Sequence, residues 1–326
     1  MSAAQPARRA LDGVLLLDKP AGMTSNAALQ TARRLLNARK AGHTGTLDPL
    51  ASGLLPLTFG EATKFAQMLL DADKVYEAGV RLGIETDSGD ADGKVLSTKP
   101  VCVGEADLHR ALARFRGEIE QIPPMHSALK RDGKPLYEYA RAGIDIARAP
   151  RRVKISALDL LAFAGDRFTI HVACSKGTYI RVLATDIGAV LGCGAHLDAL
   201  RRTHVGTLDL RASVTLEALE ATPPAQRDAL LAPVDTLAMD FPRLDLDPAA
   251  ARQILQGQPL PLPHGKIPGD RVRLYGPDGF LGLGQWKEDG RLWPKRLVSI
   301  WHPPGNPVKS IIIAGDAAQG QSKSTL

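Results

Sequence analysis

Apolar and polar residues follow two patterns along this chain, and these patterns predict a mixture of strands and helices. Residues 14–17 form a continuous apolar run before a Pro/Gly turn, which predicts a short buried strand. Apolar residues then recur at helical spacing from Ala28 to Leu36, after a capping residue at Thr24 or Ser25. Similar patterns predict helices over 63–70, 106–115, 182–191 and 248–256, and strands over Lys74–Leu82, Arg167–Cys174, 272–275, 280–286 and 297–300.

Prolines and changes in composition divide the chain into regions. Pro223, Pro224 and Pro233 indicate irregular connecting segments. From Phe241 a new set of elements is predicted, one short helix followed by strands separated by glycines. The end of the chain is rich in Pro, Gly, Ser and Lys, which is typical of disorder. We therefore predict a flexible tail over 1–10, a main domain over 11–235, a small β-rich domain over 241–302 and a disordered tail over 303–326.

The composition is that of a globular protein with a modest positive charge. The 326 residues, 44% of them hydrophobic, can bury a sizeable core. A net charge of +6 permits a polyanionic partner without proving one. The three cysteines show no metal-ligand spacing, so neither a disulfide framework nor a zinc site is predicted. No run is long enough for a signal peptide or a membrane span, which predicts a cytoplasmic protein without a membrane partner.

Residues 42–53 bring an acid, an imidazole and several glycines together in a short stretch. Pro49 favours an extended conformation at Asp48, so this acid is expected on a loop rather than inside a helix. His43 lies five positions earlier. Spacing alone favours a connector in which Asp48 only caps a turn, because loop acids are common and catalytic acids are few.

Two further polar segments leave their roles open. The acidic residues 85–93 resemble a calcium loop, but Ser88 occupies the first ligand position and Lys99 the last, so a turn without metal is predicted. Residues 121–154 are basic and Pro/Gly-punctuated, with the densest positive cluster at 148–154. A solvated surface and a phosphate-contacting insert are equally compatible with that composition.

Several motifs in the correct order resemble the bacterial tRNA pseudouridine synthase B family. Order and approximate spacing agree over residues 11–210, and a fragment near the C-terminus resembles the family's PUA-type module. The motifs are DKPAGMTS at 18–25, GHTGTLDP at 42–49, KVY at 74–76 with RLG at 81–83 and TD at 86–87, CSKGTYIR at 174–181, DIG at 186–188, LG at 191–192, LRRT at 200–203, GLG at 282–284 and PKRL at 294–297.

The resemblance implies both a fold and a reaction. The fold is α+β, with a central mixed, largely antiparallel sheet flanked by helices and a small β-rich PUA-like RNA-binding domain. The reaction is the isomerisation of uridine to pseudouridine at position 55 in the T-loop of tRNA, by base flipping. The resemblance implies the T-arm as the partner, a monomer without an obligate protein partner, and neither a cofactor nor a metal.

The resemblance also assigns roles to single residues. Asp48 corresponds to the nucleophile, and an ionised carboxylate can attack carbon and leave again. Arg181 corresponds to its ion-pair partner, and Tyr76 to an active-site tyrosine that stacks on the flipped uracil. Leu200 is expected in the apolar wall against the base, and His43 in the space that the base vacates. Ordinary core packing is equally compatible with Leu200. Tyr76 could also take part in removing the C5 proton, but core packing is favoured over that role because the unperturbed pKa of a phenol is about 10. Whether Asp48 attacks ribose C1′ or uracil C6 stays open.

The remaining candidates are contacts to the RNA. Residues 121–154 resemble the family's thumb insert, in which His126 stands where an aromatic such as Tyr is common. The expected RNA contacts are Lys19, Lys64, Tyr179, Arg201 and Arg202, together with Lys130, Arg141, Arg151 and Arg152 of the insert.

Two alternatives to the isomerase are considered. Loss of Asp48, Tyr76 or Arg181 would favour a non-catalytic tRNA-binding or folding-assistance protein on the same scaffold, and all three are present. An RNA uridine methyltransferase would need a methyl-donor site, and neither a Gly-rich nucleotide turn after a strand nor a suitably placed cysteine is found.

Overall fold

Two β-sheets frame the protein in the computed structural model, which describes residues 7–127, 129–261 and 269–299. The predicted tail over 303–326, residues 300–302 of the predicted small domain and the first six residues of the predicted N-terminal tail lie outside the described residues.

The elements follow one another along the chain with short connections. The strands are β1 Gly13–Lys19, β2 Ala41–His43, β3 Ser52–Phe59, β4 Lys74–Leu82, β5 Ile84–Thr86, β6 Val95–Thr98, β7 Gly117–Gln121, β8 Lys130–Arg131, β9 Lys134–Pro135, β10 Arg151–Ala164, β11 Arg167–Cys174, β12 Ala195–Val205, β13 Leu208–Asp209, β14 Val214–Thr215, β15 Arg243–Asp245, β16 Leu260–Pro261, β17 Arg271–Gly276, β18 Gly279–Trp286 and β19 Arg291–Leu297. The helices are α1 Ser25–Leu35, α2 Ala66–Asp71, α3 Glu105–Ala113, α4 Leu136–Arg141, α5 Ile180–Leu191, α6 Leu216–Ala221 and α7 Pro248–Leu255, with 3-10 turns at Gly60–Phe65, Leu210–Ala212, Pro224–Leu230 and Val234–Ala238.

The first sheet is mixed and largely antiparallel. Its strands follow the order β14-β1-β3-β12-β4-β11-β10-β7, with β2 paired to β3 and β13 to β12. Among the described strands of this sheet, β1 with β14 and β3 with β12 form the parallel pairs. The predicted α+β fold class with a mixed, largely antiparallel sheet is therefore confirmed.

Both faces of the first sheet are covered, which explains the continuous apolar run at its start. In β1, Leu15 and Leu17 face the large core beneath α1, α3, α5 and α6, whereas Val14 faces the opposite side. Successive side chains of a strand point to opposite faces, so a strand covered on both faces must be apolar throughout.

The small second sheet packs against that opposite face. Its strands follow the order β15-β17-β18-β19-β16 and enclose a core of their own with α7. Phe280 and Leu283 of β18 pack in the hydrophobic cluster that contains Phe65, on this face of the main sheet. The ring centroids of Phe65 and Phe280 lie 5.5 Å apart. Apolar packing therefore joins the β-rich part to the main sheet.

Most predicted elements are present, and several were missed or misplaced. The strands Lys74–Leu82 and Arg167–Cys174 match their predictions. The prediction of a strand over 297–300 is wrong at residues 298 and 299, because β19 ends at Leu297, and residue 300 lies outside the described residues. Pro294 of β19 argues against a strand in sequence, but it lies where the β18–β19 register shifts, a position that tolerates proline. The sequence also missed β10 and β12, whose pairing is interrupted by bulges that break the alternation.

Described residues include no helix long and apolar enough to cross a membrane.

Candidate active site

The Asp48 loop, residues 44–51, connects β2 to β3 and is held from outside by α1. The hydroxyl of Ser25, the first residue of α1, donates to the Leu47 carbonyl at 2.9 Å and accepts from the Leu47 amide at 2.8 Å. The Gly22 amide donates to the Pro49 carbonyl at 2.7 Å. These bonds fix the backbone on both sides of Asp48. Ser25 was considered in the sequence only as a helix cap, and Thr24 is the residue that caps α1.

Asp48 and Arg181 meet at the mouth of this loop. Nε of Arg181 lies 3.0 Å from Oδ2 of Asp48, and the exposed fractions of the two side chains are 7% and 41%. The cation is thus buried while the carboxylate stays accessible to a substrate. Arg181 lies in the first turn of α5, where the helix dipole disfavours a positive charge, so a carboxylate partner compensates for that position.

The guanidinium of Arg181 is also fixed by two backbone carbonyls. It donates to Ser88 O at 3.0 Å and to His126 O at 2.7 Å. His126 is the position at which the insert departs from the family pattern. Since its carbonyl supplies the contact, the bond does not depend on which side chain His126 carries.

Asp90 is a second carboxylate at Arg181 that the sequence did not single out. Its Oδ2 lies 3.5 Å from Nε of Arg181, and its side chain is almost fully buried. Its Oδ1 accepts from the Ser88 hydroxyl at 2.5 Å. Asp90 lies in the acidic turn between β5 and β6, and the described residues include no group of acids and imidazoles that could hold a metal. Nothing local distinguishes Asp90 from the other acids of that turn, because its partner comes from α5.

Opposing effects set the ionisation of Asp48. Burial raises the pKa of the Asp48 carboxyl, the positive charge of Arg181 lowers it, and the negative charge of Asp90 raises it again. Arg181 therefore favours the ionised form, which a nucleophile requires, against desolvation.

Tyr76 and His43 lie on strands beside the Asp48 loop. Burial raises the pKa of the Tyr76 phenol, and the positive charge of Arg202 opposes that rise. Burial lowers the pKa of the His43 imidazole, and the charge of Arg202 lowers it further. Nδ1 of His43 is buried without a hydrogen-bond partner among the described residues. Both rings are therefore neutral near pH 7.

Lys19 and Arg202 are corrections to the predicted RNA contacts, because both side chains are buried. Lys19 is 0% exposed, and its ammonium donates to the Pro20 and Met23 carbonyls at 2.8 and 2.6 Å. Burial lowers the pKa of Lys19 to about 8. Arg202 is 1% exposed. Neither cation can reach an RNA phosphate from these positions.

Three more predicted contacts lie at the surface or near it but already have partners. Nζ of Lys64 lies 2.7 Å from the Glu61 carboxylate and donates to Leu297 O at 3.3 Å, which links the 3-10 turn after β3 to β19 of the second sheet. Arg201 pairs with Asp18 at 2.7 Å and remains 41% exposed. The backbone amide of Tyr179 donates to the Gln121 side chain at 3.0 Å.

Leu200 and the insert cations occupy different environments. Leu200 is half-buried and packs against the large core. The insert leaves the sheet at Gln121, the end of β7, and returns at Arg151, the start of β10. Its predicted RNA contacts are exposed side chains, and they are Lys130, Arg141, Arg151 and Arg152.

Family models and related proteins match this chain over most of its length. The family described as "TruB family pseudouridylate synthase (N terminal domain)" matches residues 33–180, "tRNA pseudouridylate synthase B C-terminal domain" matches 181–238, and "Pseudouridine synthase II TruB, C-terminal" matches 242–298. The chain is 66% identical over 292 residues to tRNA pseudouridine synthase B of Azoarcus sp. (strain BH72), covering 90% of this chain and 96% of that protein. It is 59% identical over 307 residues to the protein of the same name from Ralstonia nicotianae, covering 91% and 97%.

Solved structures give the same fold. A Cbf5-Nop10-Gar1 complex aligns with a TM-score of 0.67 and 28% identity, covering 89% of this chain and 84% of that chain. An H/ACA RNP bound to a substrate RNA containing 2′-deoxyuridine aligns with a TM-score of 0.66 and 26% identity, covering 88% and 85%.

Proposed function

Because this chain belongs to the TruB family of pseudouridylate synthases, we propose that it isomerises uridine 55 in the T-loop of tRNA to pseudouridine, with Asp48 as the nucleophile. In this reaction the bond between N1 of uracil and C1′ of ribose breaks. Uracil is rejoined to C1′ through C5, the proton on C5 is lost to a base or water, and N1 gains a proton. Atoms and electrons balance within the nucleotide and water, so no redox partner is required.

The observation that carries the proposal is the pair of Asp48 and Arg181. The 3.0 Å contact leaves the Asp48 carboxylate open to a substrate while a nearly buried cation holds its charge. A charge-assisted bond of this kind also fixes the direction in which the carboxylate points. Such a group can attack carbon and leave again, as covalent catalysis requires.

Base flipping accounts for His43 and Tyr76. A stacked uridine must leave its loop before it can reach Asp48, at a cost of a few kcal/mol. The neutral ring of His43 can occupy the vacated space without burying a charge. The neutral Tyr76 ring can stack on the flipped uracil, with Leu200 beside it as apolar wall.

The proposed binding surface lies mainly on the insert. Residues 121–154 act as a thumb whose exposed cations contact the phosphates of the T-arm. We assign catalysis to residues 11–235 and an accessory RNA-binding role to residues 241–302. On this proposal the protein acts as a monomer, and tRNA is the partner it needs.

The test compares Asp48→Asn with Asp228→Asn, a variant of an exposed aspartate that pairs with Arg9. Tritium release from tRNA labelled at C5 of uridine measures the reaction, and filter binding measures Kd. We expect no release from Asp48→Asn with Kd changed less than about threefold, and wild-type release from Asp228→Asn. Release from Asp48→Asn would overturn the nucleophile assignment. No release from the wild-type protein, with tRNA still bound, would favour the non-catalytic alternative.

A further inference from the structure

Arg202 is a fully buried cation whose partners are not carboxylates. Its Nε donates to the Leu54 carbonyl at 2.8 Å and its Nη2 to the Gly45 carbonyl at 3.1 Å. Its charge also interacts with the phenol of Tyr76, the residue opposite it on the neighbouring strand. Burying a charge in this way is unfavourable unless hydrogen bonds offset the loss of water. A hydrophobic side chain of similar size would serve packing better, so the cation requires another explanation.

The partners of Arg202 all belong to the proposed active site. Gly45 lies in the Asp48 loop, and Leu54 lies in β3 just after that loop. Tyr76 is directly opposite Arg202 in the antiparallel pair of β4 and β12, so the two side chains share one face of the sheet. One guanidinium therefore binds the backbone on both sides of Asp48 and lies on the same face of the sheet as the active-site tyrosine.

The backbone around Arg202 is built for this close approach. Gly53 is the register partner of Arg202 in the parallel pair of β3 and β12. At Gly53 the φ angle is +101°, and a Cβ there would lie 2.3 Å from the Arg202 carbonyl oxygen. Another residue at this position would push the strands apart and move Arg202 away from the loop.

The neighbouring residue Arg201 provides a contrast within the same strand. Its side chain pairs with Asp18 and is 41% exposed, whereas Arg202 is buried beneath the loop. Arg201 can therefore meet RNA, and Arg202 can act only through the protein groups that it holds.

We propose that Arg202 is a positioning residue for the isomerisation, which holds the Tyr76 hydroxyl and the Asp48 loop in their reactive arrangement without touching RNA. This inference rests on the proposed function. Its charge also assists the lowering of the His43 pKa that burial causes, which keeps the imidazole neutral.

The experiment compares Arg202→Met and Arg202→Lys with a matched control, Arg227→Met. Arg227 likewise donates to backbone carbonyls, those of Thr222, Leu35 and Glu220, away from the site. Single-turnover pseudouridine formation, Kd for tRNA and Tm are measured for each variant. For Arg202→Met we expect at least a 100-fold slower reaction with Kd changed less than threefold. Arg202→Lys should be intermediate, and Arg227→Met should lose Tm but react within twofold of wild type.

A double-mutant cycle separates positioning from a general loss of stability. If Arg202 acts through Tyr76, Arg202→Met slows a Tyr76→Phe protein by a smaller factor than it slows the wild type. Equal factors in both backgrounds would overturn the inference, as would a folded Arg202→Met that reacts within twofold of wild type. Should Arg202→Met fail to fold, Arg202→Lys is taken through the same cycle, and full activity there overturns the inference. An inactive wild-type protein would instead reject the proposed function.

Discussion

Nε of Arg181 lies 3.0 Å from Oδ2 of Asp48, and this contact joins the first turn of a helix to a loop more than 130 positions earlier in the chain. The guanidinium has little freedom to move, because it also donates to the carbonyls of Ser88 and His126. The direction of the Asp48 carboxylate is therefore determined by a cation that the fold itself holds in place.

Replacing Arg181 by Met should slow single-turnover tritium release by about 10- to 100-fold. A hydrogen bond to a charged group is worth about 1.5–3 kcal/mol, and each 1.36 kcal/mol is tenfold in rate. The Arg181→Lys protein should react faster than Arg181→Met but slower than wild type, since lysine keeps the positive charge but lacks the planar guanidinium with its several donors. The control is Arg167→Met, whose exposed ion pair with Asp198 should matter little. Equal rates for Arg181→Met and Arg167→Met would contradict a role for the ion pair.

The rate should fall as the pH is lowered through the pKa of Asp48, because only the ionised carboxylate is a nucleophile. Burial raises that pKa and Arg181 lowers it. Removing Arg181 should therefore raise it further and move the acid limb of the pH–rate profile to higher pH. Profiles of single-turnover rate for the wild type and Arg181→Met check this prediction. A limb that stays in place would show that another group limits the reaction in acid.

Asp90→Asn should move the same acid limb in the opposite direction. The negative charge of Asp90 raises the pKa of Asp48, and Asp90 also shares the Arg181 guanidinium. Without that charge, Asp48 ionises more easily, so its pKa falls and the limb shifts to lower pH. The measurement is the same pH–rate profile, with Asp87→Asn as a control from the same acidic turn. A shift to higher pH in Asp90→Asn would mean that Asp90 acts chiefly by orienting Arg181.

Ser25→Ala should reduce the rate more than its neighbour Thr24→Ala, although both lie at the start of α1. The Ser25 hydroxyl makes two bonds to Leu47 beside the nucleophile, whereas the Thr24 hydroxyl caps the helix at the Ala27 amide. Each variant should lose about 1–2 kcal/mol of unfolding free energy. Only Ser25→Ala releases the Asp48 loop, so only it should slow the reaction severalfold. Urea unfolding and single-turnover rates separate the two effects, and equal rates would exclude a role for Ser25 in placing the loop.

Binding of tRNA should weaken steeply with salt, through release of counterions from phosphates. Lys130 and Arg141 are exposed cations of the thumb. Replacing both with Ala should reduce the slope of log K against log salt by between about 1 and 2, since each phosphate contact contributes about 0.7–0.9. Fluorescence titrations between 50 and 300 mM KCl measure the slope. An unchanged slope would place the thumb cations outside the interface.

The sequence alone determined those helices and strands that nearby residues specify, through apolar spacing or a capping residue. The alternation of Lys74–Leu82 and Arg167–Cys174 matched the strands, since each has one side chain in two facing the core. The helix predicted over 182–191 ends at Leu191 in the structure, where Gly192, with a φ of 80°, caps it. The ordered motifs identified the family and, with it, the fold class and the candidate residue Asp48.

Only the tertiary structure decided which charged residues are buried and what they contact. Arg201 and Arg202 are adjacent and chemically identical in the sequence, yet one pairs with Asp18 near the surface and the other lies beneath the Asp48 loop. Adjacent residues of a strand point to opposite faces, and which face is buried depends on the strands beside them. Asp90 was likewise hidden among neighbouring acids, because the Arg181 that gives it a role lies on a distant helix. The spacing of apolar residues predicts helices and strands locally. The role of a charged residue depends on its contacts, which form only when distant segments come together in the fold.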